Sequence, residues 1–167
     1  MKIAYFDCFS GVSGDMVLGA LIDAGADFEA LKKILSTIPL SGYELSAEKV
    51  MKNGIAGTRF KVKTSGNQNE RHLSDINSLI IKSSLSEKAK QWAGDIFRLI
   101  AGVEAEIHGK NIEEIHFHEI GAVDSIIDIA GACAALDMMG IDAVHCSRIN
   151  VGGGFVKTDH GTLPVPA

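Results

Sequence analysis

From Ile126 to Met139 the chain is almost continuously apolar, interrupted by Asp128 and Asp137. A helix drawn from Val123 to about Met139 places Ile126, Ile127, Ile129 and Ala130 around Asp128, so it is apolar nearly all round and has to be buried. The run is too short and too interrupted to span a bilayer. It therefore needs a globular core around it, and 167 residues with 46% hydrophobic and 22% charged content can supply one. A carboxylate inside such a helix is costly unless it is paired or holds a cation. Asp128 is thus the first position at which the sequence points beyond packing.

The remaining pattern supplies the elements for that core. Lys2 to Phe6 reads as a buried strand, and Ser10 to Gly14 as a turn into a helix from Asp15 to Ala24 that Gly25 stops. A second helix runs from Phe28 to about Ile38, before Pro39. The period then changes to two: Tyr43, Leu45 and Ala47, and later Phe60, Val62 and Thr64, mark two strands joined through Asn53-Gly54. Ser65 to Glu70 is polar throughout and reads as a mobile loop, followed by a helix from about Ser74 to Lys82. Ser86 has the character of an N-cap for a longer helix to about His108, with Trp92, Ile96, Leu99, Ile100 and Val103 as its apolar positions and Gly109 as its end. A short strand around Ile115 to Ile120, a turn at Gly121-Ala122 and a strand near Val144 to Val151 complete the reading. With no repeat or clear boundary, the expectation is one α+β domain over residues 1–167, its helices packed on one face of a mixed or antiparallel sheet.

Charge and cysteine usage narrow the function classes. A net charge of −5 offers no footprint for nucleic acid or an anionic membrane. Cys8, Cys133 and Cys146 are odd in number and widely spaced, which fits a reducing, cytoplasmic setting better than a disulfide framework. The first residues lack the apolar run and cleavage site of a signal peptide. Leu163 to Ala167 ends in an extended, Pro-rich segment, from which the chain is expected to be part of something longer.

Two segments carry residue types suited to chemistry. In His116-Phe117-His118-Glu119-Ile120-Gly121-Ala122-Val123-Asp124-Ser125-Ile126-Ile127-Asp128, a strand would project His116 and His118 from one face. Asp124 and Asp128 then lie one helical turn apart, and Gly121 permits the reversal between strand and helix. The mixed nitrogen and oxygen set suits nickel, zinc, manganese or iron. A plainer role is open to Asp124, which in a first helical turn complements the helix dipole.

The other segment is Asp7-Cys8-Phe9-Ser10-Gly11-Val12-Ser13-Gly14-Asp15-Met16. Gly11 and Gly14 let the backbone approach a ligand, and the N-H groups at a helix start attract anions. No Gly-Lys-Ser/Thr ending follows, so this is not a P-loop. Asp7 and Asp15 instead suit a metal-bridged phosphate. Alternatively, Ser13 caps the helix, Asp15 serves its dipole and the glycines only turn the chain. Weaker candidates are His72, a ligand at the end of the polar loop beside a possible N-cap at Ser74; the Gly152-Gly153-Gly154 run, as phosphate cradle or flexible bend; and Asp159-His160.

These two segments, together with His160-Gly161-Thr162-Leu163-Pro164-Val165-Pro166-Ala167, resemble the N-terminal part of the LarC family, the pyridinium-3,5-bisthiocarboxylic acid mononucleotide nickel insertion proteins. The resemblance implies a cytoplasmic, metallochaperone-like enzyme of the lyase class. With CTP as cosubstrate, such an enzyme inserts nickel into a sulfur-bearing pyridinium mononucleotide and forms the nickel-pincer cofactor of lactate racemase. A mechanism that fits both the residues and the resemblance has a divalent metal held by His116, His118 and Asp124, with Asp7, Asp15 or Asp128 completing the set and serving as the expected catalytic carboxylates. The nucleotide is then expected against Ser10, Gly11, Ser13, Gly14, Gly152 and Gly154, with manganese or magnesium as candidate companion ions. Family members are two-part proteins whose C-terminal domain is implicated in nickel handling, so that domain and, indirectly, a lactate racemase-type apoenzyme are the implied partners. Two other readings stand beside it: a noncatalytic nickel-binding module, and a metal-dependent nucleotide phosphohydrolase.

Overall fold

The apolar helix is where the sequence places it. In a computed structural model that describes residues 1–65, 71–117, 120–158 and 161–166, the chain runs β1 (Ile3–Phe6), α1 (Gly14–Asp23), α2 (Phe28–Leu35), β2 (Tyr43–Lys52), β3 (Ile55–Thr64), β4 (Arg71–His72), α3 (Leu73–Lys82) and α4 (Glu87–His108). A single 3-10 turn (Ile112–Glu114) leads to β5 (His116–Phe117), α5 (Val123–Met138), β6 (Ala143–Cys146), β7 (Gly154–Thr158) and β8 (Gly161–Val165). The class is α+β, as the periodicities imply. The strands pair as four two-stranded ladders among the described residues, of which β1–β6 is parallel and the others antiparallel. The polar loop at 66–70, His118, Glu119, Asp159 and His160 lie outside the described residues.

The chain divides into two units, one formed by Gly14–Gly140 and the other by Met1–Ser13 with Ile141–Ala167. In the first, α5 packs against α1, α2, α4 and β3. Val123, Ile126, Ile127, Ala130, Gly131, Cys133, Ala134, Ala135 and Leu136 are all buried along it, which covers nearly its whole circumference. Ile126 and Ile127 are fully buried, each contributing about 1.5–3 kcal/mol of transfer free energy. Burial pushes the Cys133 thiol up to about 12, so it behaves as a small apolar side chain.

The β2–β3 hairpin closes through Asn53 and Gly54 at φ 50° and 80°, the left-handed pair that a two-residue turn between twisted strands requires. Glu48 pairs with Arg59 across the hairpin's solvent face, so Arg59 and Lys61 form the solvated side that their alternation implies. On the other face Phe60 is buried and meets Phe28 edge-on at 6.3 Å between ring centroids. Gly19 of α1 lies against the Thr58 carbonyl so closely that a Cβ would overlap it.

Helix α4 departs from the expected face. Ser86 caps it through the Ala89 N–H, and Gly109 ends it in the left-handed conformation at φ 60°, both as read from the sequence. Its buried stripe, however, is Ala89, Ala93, Phe97, Ala101 and Ala105, while Ile96, Leu99 and Val103 are exposed. Small residues every four positions let α4 approach α3 and α5 closely, and that close approach outweighs burying the larger side chains. At α3 the N-cap is His72, with Ser74 already inside the first turn.

In the unit made of the chain ends, β1 and β6 run parallel with Ile3 opposite Ala143 and Phe6 opposite Cys146. The ladder continues through Ser147 N–H to the Phe6 carbonyl at 2.9 Å and Asn150 N–H to the Cys8 carbonyl at 3.3 Å. The regular strand expected to reach Val151 ends at Cys146, and the β7–β8 hairpin begins at Gly154, after Gly152 and Gly153.

Candidate functional site

Asp128 sits on α5 with its side chain against the start of α1. A Cβ on Gly14 would fall 2.5 Å from the Asp128 Cβ and 2.6 Å from its Oδ2, so only glycine fits there. The Asp15 backbone N–H donates to the Asp128 carboxyl, but Oδ1 is buried without any hydrogen-bond partner. Loss of solvation, followed by the nearby charges of Asp15 and Asp124, raises the Asp128 pKa to about 7. One carboxylate with two like-charged neighbours and an unsatisfied oxygen is an electrostatic arrangement that a cation would relieve. Asp15 and Asp124 are themselves exposed, and each accepts from the N–H of the next residue, Met16 and Ser125, at 2.9 Å.

His116 has a cross-strand neighbour that the sequence did not suggest. His116 is exposed and Phe117 buried, which agrees with strand alternation. Opposite His116 in the β4–β5 ladder is His72, and the two rings lie 3.8 Å apart between centroids with a 46° tilt. His72 was legible only as a ligand on a mobile loop. It is instead held in place: its backbone N–H donates to Asp75 Oδ2 at 2.9 Å, and its Nδ1 lies 3.0 Å from the Ile115 carbonyl oxygen. The one available signal was the spacing His72-Leu73-Ser74-Asp75, with an acid at the third helical position able to reach back to the cap.

Gly121 has a packing role. A Cβ there would stand 2.7 Å from the Phe117 carbonyl oxygen and 3.1 Å from the Arg71 nitrogen, and Arg71 Nη1 donates to the Gly121 carbonyl at 2.5 Å. Its backbone is not among those with positive φ, so close approach rather than a left-handed reversal calls for glycine. Among the described residues, no group of three or more His, Cys, Asp or Glu is arranged to hold a metal ion. The structure thus gathers Asp15 and Asp124 around Asp128, and sets His116 beside His72. His118 lies outside the described residues.

Asp7, Ser10, Gly11, Ser13, Gly152 and Gly154 belong to the unit of the chain ends. Asp7, Ser10 and Ser13 are exposed. Gly11 turns at φ 91° with its N–H on the Cys8 carbonyl at 3.0 Å, and a Cβ on it would meet the Asn150 carbonyl oxygen at 3.1 Å. The Asn150 side chain donates to the Phe9 carbonyl at 3.0 Å and accepts from the Gly152 N–H at 2.9 Å. Gly152 and Gly154 adopt φ 79° and 98° with open space where a Cβ would be. Loop 7–13 and the segment after β6 therefore form one turn system, whose glycines serve its backbone geometry.

A family model described as nickel insertion protein matches residues 4–167. A putative nickel insertion protein from Geobacter sp. (strain M21) is 50% identical over 168 residues, covering 100% of this chain and 44% of the relative. The pyridinium-3,5-bisthiocarboxylic acid mononucleotide nickel insertion protein of Desulfitobacterium hafniense (strain DSM 10664 / DCB-2) is 52% identical over 167 residues, 100% of this chain and 42% of the relative. A putative nickel insertion protein of Dictyoglomus thermophilum is 48% identical over 167 residues, with 43% of the relative covered. The chain spans less than half the length of these curated relatives. No solved structure matches it significantly. Among the described residues, no helix is long and apolar enough to cross a membrane. With a family match running over almost its entire length, the chain belongs to the nickel insertion protein family.

Proposed function

We propose that the chain is the N-terminal part of a CTP-dependent nickel insertase that places nickel in pyridinium-3,5-bisthiocarboxylic acid mononucleotide, giving the nickel-pincer cofactor of lactate racemase. The relative from Desulfitobacterium hafniense, 52% identical over this whole chain, carries that substrate in its name. The observation that supports a cation-handling role in this chain is the buried, unpartnered Oδ1 of Asp128 between two further acids. Nickel is cargo here. His116, His118 and Asp124 would take it up, with Asp7, Asp15 or Asp128 completing the set, and manganese or magnesium would accompany the triphosphate. Ser10, Gly11, Ser13, Gly14, Gly152 and Gly154 are the proposed nucleotide contacts. Neutralising triphosphate charge is what the metal supplies in such chemistry. The Asp128 carboxyl, its pKa raised to about 7, would give up its remaining proton when a cation arrives.

The covered share of the relatives favours a second reading, in which this chain is a noncatalytic nickel-binding module serving a C-terminal domain. Incubating the 167-residue chain with nickel, CTP and the pyridinium substrate separates the readings. An insertase consumes CTP only with the pyridinium substrate present, a binding module leaves CTP intact, and a nucleotide phosphohydrolase consumes it without the substrate.

A further inference from the structure

We propose that His72 is a nickel ligand, and that with His116 it forms a two-imidazole seat for the metal in transit; this rests on the proposed role of His116 in nickel uptake. The pair is built by the ladder itself. His72 and His116 are direct cross-strand partners, with their rings 3.8 Å apart between centroids. The decisive detail is at the far side of the His72 ring. The Ile115 carbonyl 3.0 Å from Nδ1 can only accept, so Nδ1 donates and Nε2 is the ring nitrogen left for a metal. Donation of one ring N–H to a backbone carbonyl, with the other nitrogen left basic, is the arrangement that orients a metal-binding imidazole.

Further contacts hold that geometry. Asp75 fixes the His72 backbone, and Arg71, the neighbouring residue, ties β4 to the Gly121 carbonyl. Packing alone does not account for two imidazoles in contact, because His116 is exposed. Neutral imidazole nitrogen is well matched to nickel. Two protein ligands leave most of the coordination sphere to water or to incoming sulfur donors, and a seat of that kind releases its metal readily. Cargo transfer needs such release.

The test is nickel chloride titrated into the 167-residue chain by equilibrium dialysis, with X-ray absorption at the nickel edge on the loaded protein. The variants are His72→Ala, His72→Phe, which preserves a ring against His116, and His116→Ala. The expected result is a loss of affinity of about tenfold or more in both His72 variants, close to that of His116→Ala, with one fewer imidazole in the nickel scattering. Wild-type affinity and scattering in His72→Phe, with affinity lost in His116→Ala, would overturn the role of His72 and leave the proposed function intact. Unchanged nickel binding in all three would overturn this proposal and the ligand set on which it rests.

Discussion

Asp128→Asn should make the protein more stable above neutral pH and remove a pH dependence that the wild-type chain carries. The folded Asp128 carboxyl is raised to about 7 from an ordinary value of 3.8, mainly by loss of solvation and then by Asp15 and Asp124. Between those two values the folded state binds more protons at this site than the unfolded state. Stability therefore falls as pH rises through that window, and the full penalty is present above it. Each pKa unit is worth about 1.4 kcal/mol, which sets a ceiling of about 4 kcal/mol. Asp128 is only partly buried, and solvent screening reduces the expected penalty to about 1–2 kcal/mol. Asparagine cannot ionise, yet its amide oxygen can still accept from the Asp15 N–H. Urea unfolding of both proteins near pH 5 and near pH 8 gives the answer. The variant should be about 1–2 kcal/mol more stable near pH 8, with a smaller gain near pH 5. Equal or lower stability of the variant near pH 8 would refute the reasoning, because the charge on Asp128 would then not be a burden on the fold.

Three further perturbations probe the surroundings. Gly14→Ala should destabilise by about 1–3 kcal/mol in thermal unfolding, although alanine is the better helix former, because its Cβ would overlap Asp128; stabilisation would contradict that contact. On α4, Phe97→Ala should cost about 3–5 kcal/mol and Leu99→Ala about 0.5 kcal/mol or less in denaturant titrations. The reverse ranking would restore the face expected from the large side chains. Under native conditions iodoacetamide should label Cys146 before Cys8 and Cys133, as read by peptide mass mapping, since only Cys146 is exposed; rapid labelling of Cys133 would be inconsistent with its burial.

What was legible in the sequence follows the strength of its local signals. Val123 to Met139 could be read because a helix apolar on all sides has one solution, and Asn53-Gly54 because few other dipeptides accept two left-handed conformations in succession. The face of α4 could not be read from size. Alanines at every fourth position are buried because they permit close helix contact, a property of the partner surface as much as of α4. Asp128 stood out as a charge in an apolar run, and the reason for Gly14 appeared only once the Asp128 side chain was seen against it. His72 and His116 are 44 positions apart, so their pairing depends on a short ladder that no periodicity marks. The sequence also placed His116, His118 and Asp124 in one ligand set, of which His118 lies outside the described residues.

The central claim is that this chain takes up nickel through its histidines on the way to the pyridinium substrate. Its most direct test is the nickel content of the purified chain after equilibrium dialysis, wild type against the double variant His116→Ala with His118→Ala. The account predicts stoichiometric nickel on the wild type and none on the double variant. Equal nickel content in the two would contradict it.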